Sequence, residues 1–474
     1  MNRTGWDRRL SVSGDGRGLI GHAGAVLLRK CADQVGLTPA LGSALAKLDG
    51  SPRWDRGMVL VQLAVAIALG ATSMRQIALL THQADVFGDP PSDSTVRRIL
   101  ELAEPALLGR IAKARAKVRA RVWELIEATQ QGFPWLKVAG KVLTGWIVID
   151  IDATIVLAHS AKEGAAATFK RTYGFHPLAA WCASTQESLA MLLRPGSAGS
   201  NTVADHLEVL AAAIAQIPAS RRAKLLIRVG GAGATHELLE RVEALNTTRR
   251  TVRFTVGWTI TDVDEAAIAA LPGKAWDRAL TQDGDPHEHA GVAELTGLNA
   301  RAAVWRCRLI ARRVVPSRRH QAKLTALEKK TGWKYSIIAT NLGPRGMRGV
   351  PGSHQAQFID VLHRSHAGVE DRVRTNKAMG LRNLPSRTWT VNAGWLLAAN
   401  IAADLDAWTR LLGLYDEPDL ARAEPQTLRY CLWHLPARLV CHARRRVLKI
   451  SATWPWKNAF LICWQRLCAL PAPT

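Results

Sequence analysis

Apolar positions in the first quarter of the chain recur at helical spacing. In Ala25–Val35, Met58–Leu69 and Met74–Leu80 they return every three or four residues, which predicts helices. The run Met58–Ala71 (MVLVQLAVAIALGA) is apolar nearly all round. It is shorter than the ~20 residues a bilayer span requires, so it predicts a buried core helix. Pro90–Leu102 (PPSDSTVRRILEL) reads as a turn, a Ser or Asp N-cap, and a helix carrying Arg97 and Arg98. Residues 1–128 thus read as one helical region.

After a break at Gln130–Lys141 the period changes. Trp146–Ile151 (WIVIDI), Thr154–Ala158 and Ser188–Leu193 predict strands. Ala204–Ile217 then reads as a helix, Lys224–Val229 (KLLIRV) as a buried strand, Thr235–Ala244 as a helix and Val252–Val256 as a strand. Strands first, then strands alternating with helices, give an α/β sheet of mixed strand direction. Residues 257–350 break that rhythm with Trp276, Trp305, Trp333, many charges and short β-like runs such as Ala303–Ile310, and read as an insertion between sheet elements. Helical pattern returns at Gly368–Ala378 and Ala393–Leu412, and residues 425–474 predict a helical, basic tail.

Length and composition sharpen this. The 474 residues suffice for two to four units at roughly 100–200 residues each, and 48% hydrophobic content supports a sizeable core. Lys and Arg number 63 against 39 Asp and Glu, a formal net charge of +24. Such an excess favours a polyanionic partner, of which nucleic acid is the commonest; a generally basic protein without one is the plain alternative. The cations cluster in Arg110–Arg121, Arg221–Arg228, Arg306–Lys330 and Arg438–Lys449, which suits a long DNA track. A helix carrying Arg97 and Arg98 after a short turn fits a major groove; a helical hairpin with solvated arginines has the same pattern. The seven cysteines show no CxxC spacing, so neither a zinc site nor a disulfide framework is expected. With no apolar leader, the expected location is cytoplasmic, away from any membrane.

Two sets of carboxylates stand out. Asp150 and Asp152 end an apolar strand, and strand alternation puts both on one face. A carboxylate in a run that otherwise wants burial is costly unless it is paired or metal-bound, so each is either a metal ligand or an acceptor for a neighbouring Arg or backbone amide. Glu370, in Val369–Lys377 (VEDRVRTNK), lies on a predicted helix about two turns from Lys377, so both point the same way. An acid that holds metal beside a cation that holds phosphate suits phosphodiester chemistry; a solvated charged helix has the same spacing.

As a set, several segments resemble bacterial insertion-sequence transposases with a ribonuclease-H-like DDE domain, of the domain group 1 kind with a β-rich insertion before the catalytic Glu. Ile149–Ile155 (IDIDATI) is similar to the first-acid strand, and Tyr173–Leu178 and Leu193–Ser200 to the hairpin and loop that follow. Leu226–Glu237 (LIRVGGAGATHE) is similar to the second-acid strand, and His363–Lys377 (HRSHAGVEDRVRTNK), with Leu381–Pro385 and Asn392–Trp395, to the third-acid helix and its sequel. The resemblance runs from about Asp55 to the C-terminus. It implies a helical DNA-binding region at 1–128, a catalytic core at 141–256 and 351–415, an insertion at 257–350 and a helical basic region at 416–474.

By position, the resemblance implies Asp152 as first acid and metal ligand, with Asp150 ranked second, Glu370 as third acid and metal ligand, and Lys377 beside it. It implies DNA contacts at Arg97, Arg98, Arg228, Arg364, Arg374 and Lys377. His363 and His366 stand where the family has Tyr and Arg, so Arg364 or Arg374 is expected to take over phosphate gripping. The family's cofactor is a pair of Mg²⁺ (or Mn²⁺) ions, its partner double-stranded DNA at the element's ends and target, and its working form a homodimer on DNA at the bacterial nucleoid. The main departure is at the second acid. Where the family reads Arg-x-Asp-Gly-x-Gly, this chain reads Arg228-Val229-Gly230-Gly231-Ala232-Gly233, with glycine in the acid's place. The expectation is a transposase impaired in cleavage, or a non-catalytic DNA-binding relative.

Overall fold

The computed structural model describes residues 11–46 and 53–473. Residues 1–10 and 47–52, part of the predicted helical region, lie outside the described residues.

The apolar run centred on Ile149 forms strand β1 (Ile147–Ala153) in a nine-stranded sheet. With β2 (Leu178–Cys182), β3 (Ser188–Leu192), β4 (Lys224–Val229) and β5 (Thr251–Trp258) it takes the order 3-2-1-4-5. β1, β4 and β5 run parallel, while β2 and β3 run antiparallel as a hairpin on β1. β1 and β4 are buried along most of their length and read as largely apolar runs, whereas β5 alternates, with Thr251, Arg253 and Gly257 half-buried between buried Val252, Phe254, Val256 and Trp258. β6 (Asp277–Leu280), β7 (Pro286–Glu294), β8 (Arg308–Val314) and β9 (Lys334–Thr340) extend the sheet beyond β5, all antiparallel. The insertion therefore joins the main sheet instead of forming a separate lobe.

Helices α1 (Ala25–Gln34), α2 (Leu37–Leu45) and α3 (Arg56–Ala68) precede the sheet. Asp55 caps α3 by accepting from the Met58 amide at 2.6 Å. α4 (Asp93–Leu100) carries Arg97 and Arg98, and α5 (Pro105–Glu127) leads to the sheet. α6 (Val203–Gln216) covers β2 and β3, and α7 (His236–Glu243) connects β4 to β5. α8 (Ala356–Arg364) packs on β5 to β8, and α9 (Val369–Asn376) follows it. α10 (Trp389–Gly413), almost wholly buried, packs on α1, α3, α4, α5 and β3. One apolar core links the first helices, the sheet and the last helix, α11 (Lys457–Ala469).

Two expectations change. The C-terminal region is not helical throughout. A hairpin of β10 (Ala437–His442) and β11 (Arg445–Ile450) comes first, and Leu19–Ile20 pairs with β10. The cluster Arg110–Arg121 is also not wholly available to DNA. Arg115 and Arg119, on the inward side of α5, are buried. Arg115 bonds Asp404 at 2.7 Å; Arg119 bonds Asp404 at 2.7 Å and Glu187 at 2.8 Å. The Trp123 and Trp408 indoles donate to the same Glu187 carboxylate at 2.7 and 2.6 Å. Among the described residues, no helix is long and apolar enough to cross a membrane.

Candidate active site

β1 and β4 lie side by side in parallel register, with Asp150 beside Arg228 and Ile151 beside Val229. One step further, Asp152 and Gly230 emerge together at the carboxyl end of the sheet. A Cβ built on Gly230 would stand 4.0 Å from Asp152 Oδ1, with nothing nearer. The Gly230 backbone is extended (φ −63°, ψ 170°), a conformation open to any L residue. Gly233 differs, because a Cβ there would come within 2.3 Å of the Val229 side chain. The close turn after β4 therefore requires glycine at 233 but not at 230.

Asp150 and Asp152 share a strand face but not a role. Asp150 is fully buried. Its carboxylate accepts from Arg228 at 2.6 and 2.8 Å and from His366 Nδ1 at 2.9 Å, with Arg372 3.9 Å away. Burial opposes ionisation, yet Arg228 and His366 hold Asp150 below the usual carboxylate range. Such a saturated carboxylate is a structural anchor. Asp152 is half-buried, and burial together with the negative charge of Glu370 pushes its carboxyl up. Glu370 is exposed at the start of α9, within electrostatic reach of Asp152. α9 is fixed against β2 by Val369 and Val373 packing on Trp181, whose indole donates to Asn376 at 2.7 Å.

Lys377 ends α9 and is half-buried; burial, Lys170 and Arg382 push its ammonium down. Lys170 lies on an exposed turn, Phe169–Arg171, pinned by a Thr168–Thr172 hydroxyl bond of 2.8 Å. His176 and His206 also feel the charge of Asp152. Sequence reasoning passed over Lys170, Arg382, His176 and His206. They arrive from separate segments; His176 and Arg382 lie within Tyr173–Leu178 and Leu381–Pro385, quoted for the resemblance, but nothing there singled them out.

The expected DNA contacts divide. Arg97 and Arg98 are exposed on α4, Arg97 paired with Glu101 at 2.8 Å. Arg374 is exposed and paired with Glu424 at 2.6 Å and Asp371 at 3.3 Å. Arg364 is half-buried, bound to Asp360 at 2.9 Å and to the Leu280 carbonyl, so it clamps α8 onto the insertion. Arg228 is a correction. It is fully buried, spent on Asp150, the Leu362 carbonyl and Ser365, and presents no donor to a duplex. His363 and His366 are turned inward as well. His363 Nδ1 lies 3.2 Å from Thr255 Oγ1, and burial pushes its imidazole down to about 3.

The two-ion chemistry implied by the sequence needs a third carboxylate beside Asp152 and Glu370. The residues present do not fit that site. Gly230, beside Asp152, has no side chain to offer a metal, and among the described residues no group of three or more His, Cys, Asp or Glu is arranged to hold a metal ion.

The comparisons with known proteins bear on this geometry. No curated protein matches the chain. A solved cryo-EM structure of a piggyBac transposase synaptic complex with hairpin DNA is similar at 9% identity, over 91% of this chain and 82% of that one, with a TM-score of 0.41. The family model described as Transposase DDE domain group 1 matches residues 2–472. With that match spanning nearly its whole length, the chain belongs to the DDE domain group 1 transposases.

Proposed function

We propose that this chain is an insertion-sequence transposase by descent that binds the element's terminal repeats but is impaired in cutting and joining strands. One observation carries the reading: Gly230 faces Asp152 at the position where the resemblance implies the second acid, and among the described residues no clustered carboxylate replaces it. Loss of one member of a catalytic set that acts as a unit lowers the rate by orders of magnitude. DNA binding draws on other residues, Arg97 and Arg98 among them, and survives that loss. The expected metal is Mg²⁺ or Mn²⁺, and the expected assembly is a homodimer bridging two ends.

The test is strand cleavage of DNA carrying the element's ends, with Mg²⁺ or Mn²⁺ supplied. The unaltered chain is expected to bind and to leave the strands essentially uncut. Gly230→Asp is expected to raise cleavage by at least two orders of magnitude, and Asp152→Asn or Glu370→Gln in that background to abolish it. Efficient cutting by the unaltered chain would refute impairment. A second reading is a non-catalytic protein that occupies transposon ends; the buried anchoring of Asp150 is compatible with it. That arrangement keeps the fold whether or not the site works. The same assay separates the two, because under this reading Gly230→Asp restores no cutting.

A further inference from the structure

The C-terminal hairpin stands apart from the candidate site and has a distinctive charge pattern. Residues 437–450 (ARLVCHARRRVLKI) hold five Lys or Arg and no acid. β10 and β11 pair from Ala437↔Ile450 to His442↔Arg445. Strand alternation sorts their side chains onto two faces. Ala437, Leu439, Leu448 and Ile450 share one face and pack against the core. The opposite face sets Arg438 directly across from Lys449, and His442 across from Arg445, all four exposed. Arg438 and Lys449 face each other as like charges across the ladder, which destabilises it, so this face is better satisfied with an anion lying along it.

The tip points the same way. Ala443 and Arg444 both adopt positive φ, 47° and 64°, where a hairpin turn ordinarily takes Asn or Gly. An Arg held in that conformation projects a cation from the end of the ribbon. Arg446 donates to the Asp85 carbonyl and ties the ribbon to the segment before α4. Leu19–Ile20, the ribbon's third strand, packs on Met74–Gln83, and so does α4 with its exposed Arg97 and Arg98. Ribbon and helix thus flank one segment.

We propose that the ribbon Ala437–Ile450 is a duplex-DNA contact, with Arg438, Arg445 and Lys449 neutralising phosphates and the tip at Arg444 directed toward a groove. A two-stranded ribbon has the width the major groove admits. The proposal rests on the reading that this chain binds DNA, and it assigns that binding a surface outside the Asp152 site.

The test compares the full chain with an Arg438→Gln/Arg445→Gln/Lys449→Gln variant and a charge-preserving Arg438→Lys/Arg445→Lys/Lys449→Arg variant. The readouts are duplex affinity across a salt series and thermal unfolding. Each lost phosphate contact makes the slope of log K against log salt shallower by about 0.9, so the Gln variant is expected to lose roughly 2 to 3 in slope. Its affinity near 0.1 M salt should fall at least tenfold, with unfolding unchanged. The charge-preserving variant is expected to keep the parent slope, which separates charge from ribbon integrity. Parent affinity and slope in the Gln variant would overturn the proposal and leave the broader reading intact. Failure of the parent to bind duplex DNA at low salt would overturn both. Loss of binding to anionic phospholipid vesicles with duplex binding intact would assign the ribbon to a membrane and overturn the proposal.

Discussion

Two aspartates two residues apart on β1 do unlike work, and what surrounds them decides which does which. Asp150 faces Arg228, His366 and Arg372 inside the protein, whereas Asp152 lies half-exposed near Glu370 with no salt-bridge partner of its own among the described residues. Asp150→Asn leaves the Arg228 guanidinium buried without its counter-charge and should cost about 3–5 kcal/mol of unfolding free energy. Asp152→Asn removes no such pair and should cost little. Denaturant titration of both variants checks the contrast, and equal losses would contradict it. Acid sensitivity follows from the same groups. His22 is pushed down to about 4 and His363 to about 3, mainly by burial. Below about pH 6.5 the unfolded chain therefore takes up protons that the folded chain resists, and stability falls with pH. Asp150, held low, adds its own loss below about pH 4, where the unfolded carboxyl protonates first. A stability profile flat from pH 7 to 5 would contradict the histidine contribution. Gly230→Ala, whose methyl group enters open space on an ordinary backbone, should leave stability unchanged or raise it by up to about 1 kcal/mol.

At the scale of elements, α5, the β2–β3 turn and α10 meet in a buried charge network. Arg115, Arg119, Glu187 and Asp404 are each under a tenth exposed, and the network joins the first helical region to the sheet. Asp404→Asn leaves two guanidinium groups short of a partner and should destabilise by about 3–5 kcal/mol, read by denaturant midpoint. A loss below 1 kcal/mol would mean that solvent reaches the network. How far these elements could be read in the sequence varied for physical reasons. β1 and β4 announced themselves as largely apolar runs, as parallel strands buried on both faces do, and β5 by the alternation of Val252, Phe254, Val256 and Trp258 with polar residues or glycine. The inserted strands were visible as β-like runs, but their attachment beyond β5 was not, because a local pattern does not name its pairing partner. β10 and β11 passed for helix. Their turn, Ala443–Arg444, lacks the Asn or Gly that marks a tight hairpin, and the arginine run hides the alternation. Asp152, Gly230 and Glu370 were legible because each sits in a short motif. The use of Arg228 was not, since an arginine two residues before the acid position looks equally ready for phosphate or for Asp150.

At the scale of the whole molecule, the first helices have no core of their own. α3 is buried along eleven residues, and much of what covers it is α10, more than 300 residues away in the sequence. A fragment ending at residue 128 is therefore expected to show little stable helix by circular dichroism, despite its helical sequence. The full chain is expected to unfold in one main transition. A well-folded fragment would show that the first helical region is autonomous after all. The charge distribution is equally shared. Part of the +24 is consumed inside, as at Arg115, Arg119 and Arg228, so affinity for a polyanion depends on which cations reach the surface rather than on the total.

The backbone at position 230 has a consequence for engineering this protein. An acidic side chain can be introduced there without further adjustment of its surroundings. No side chain fills the space, the dihedral angles suit any L residue, and Asp152 Oδ1 lies 4.0 Å from where a Cβ would stand. A single substitution at this position is therefore expected to be accommodated with no compensating change elsewhere.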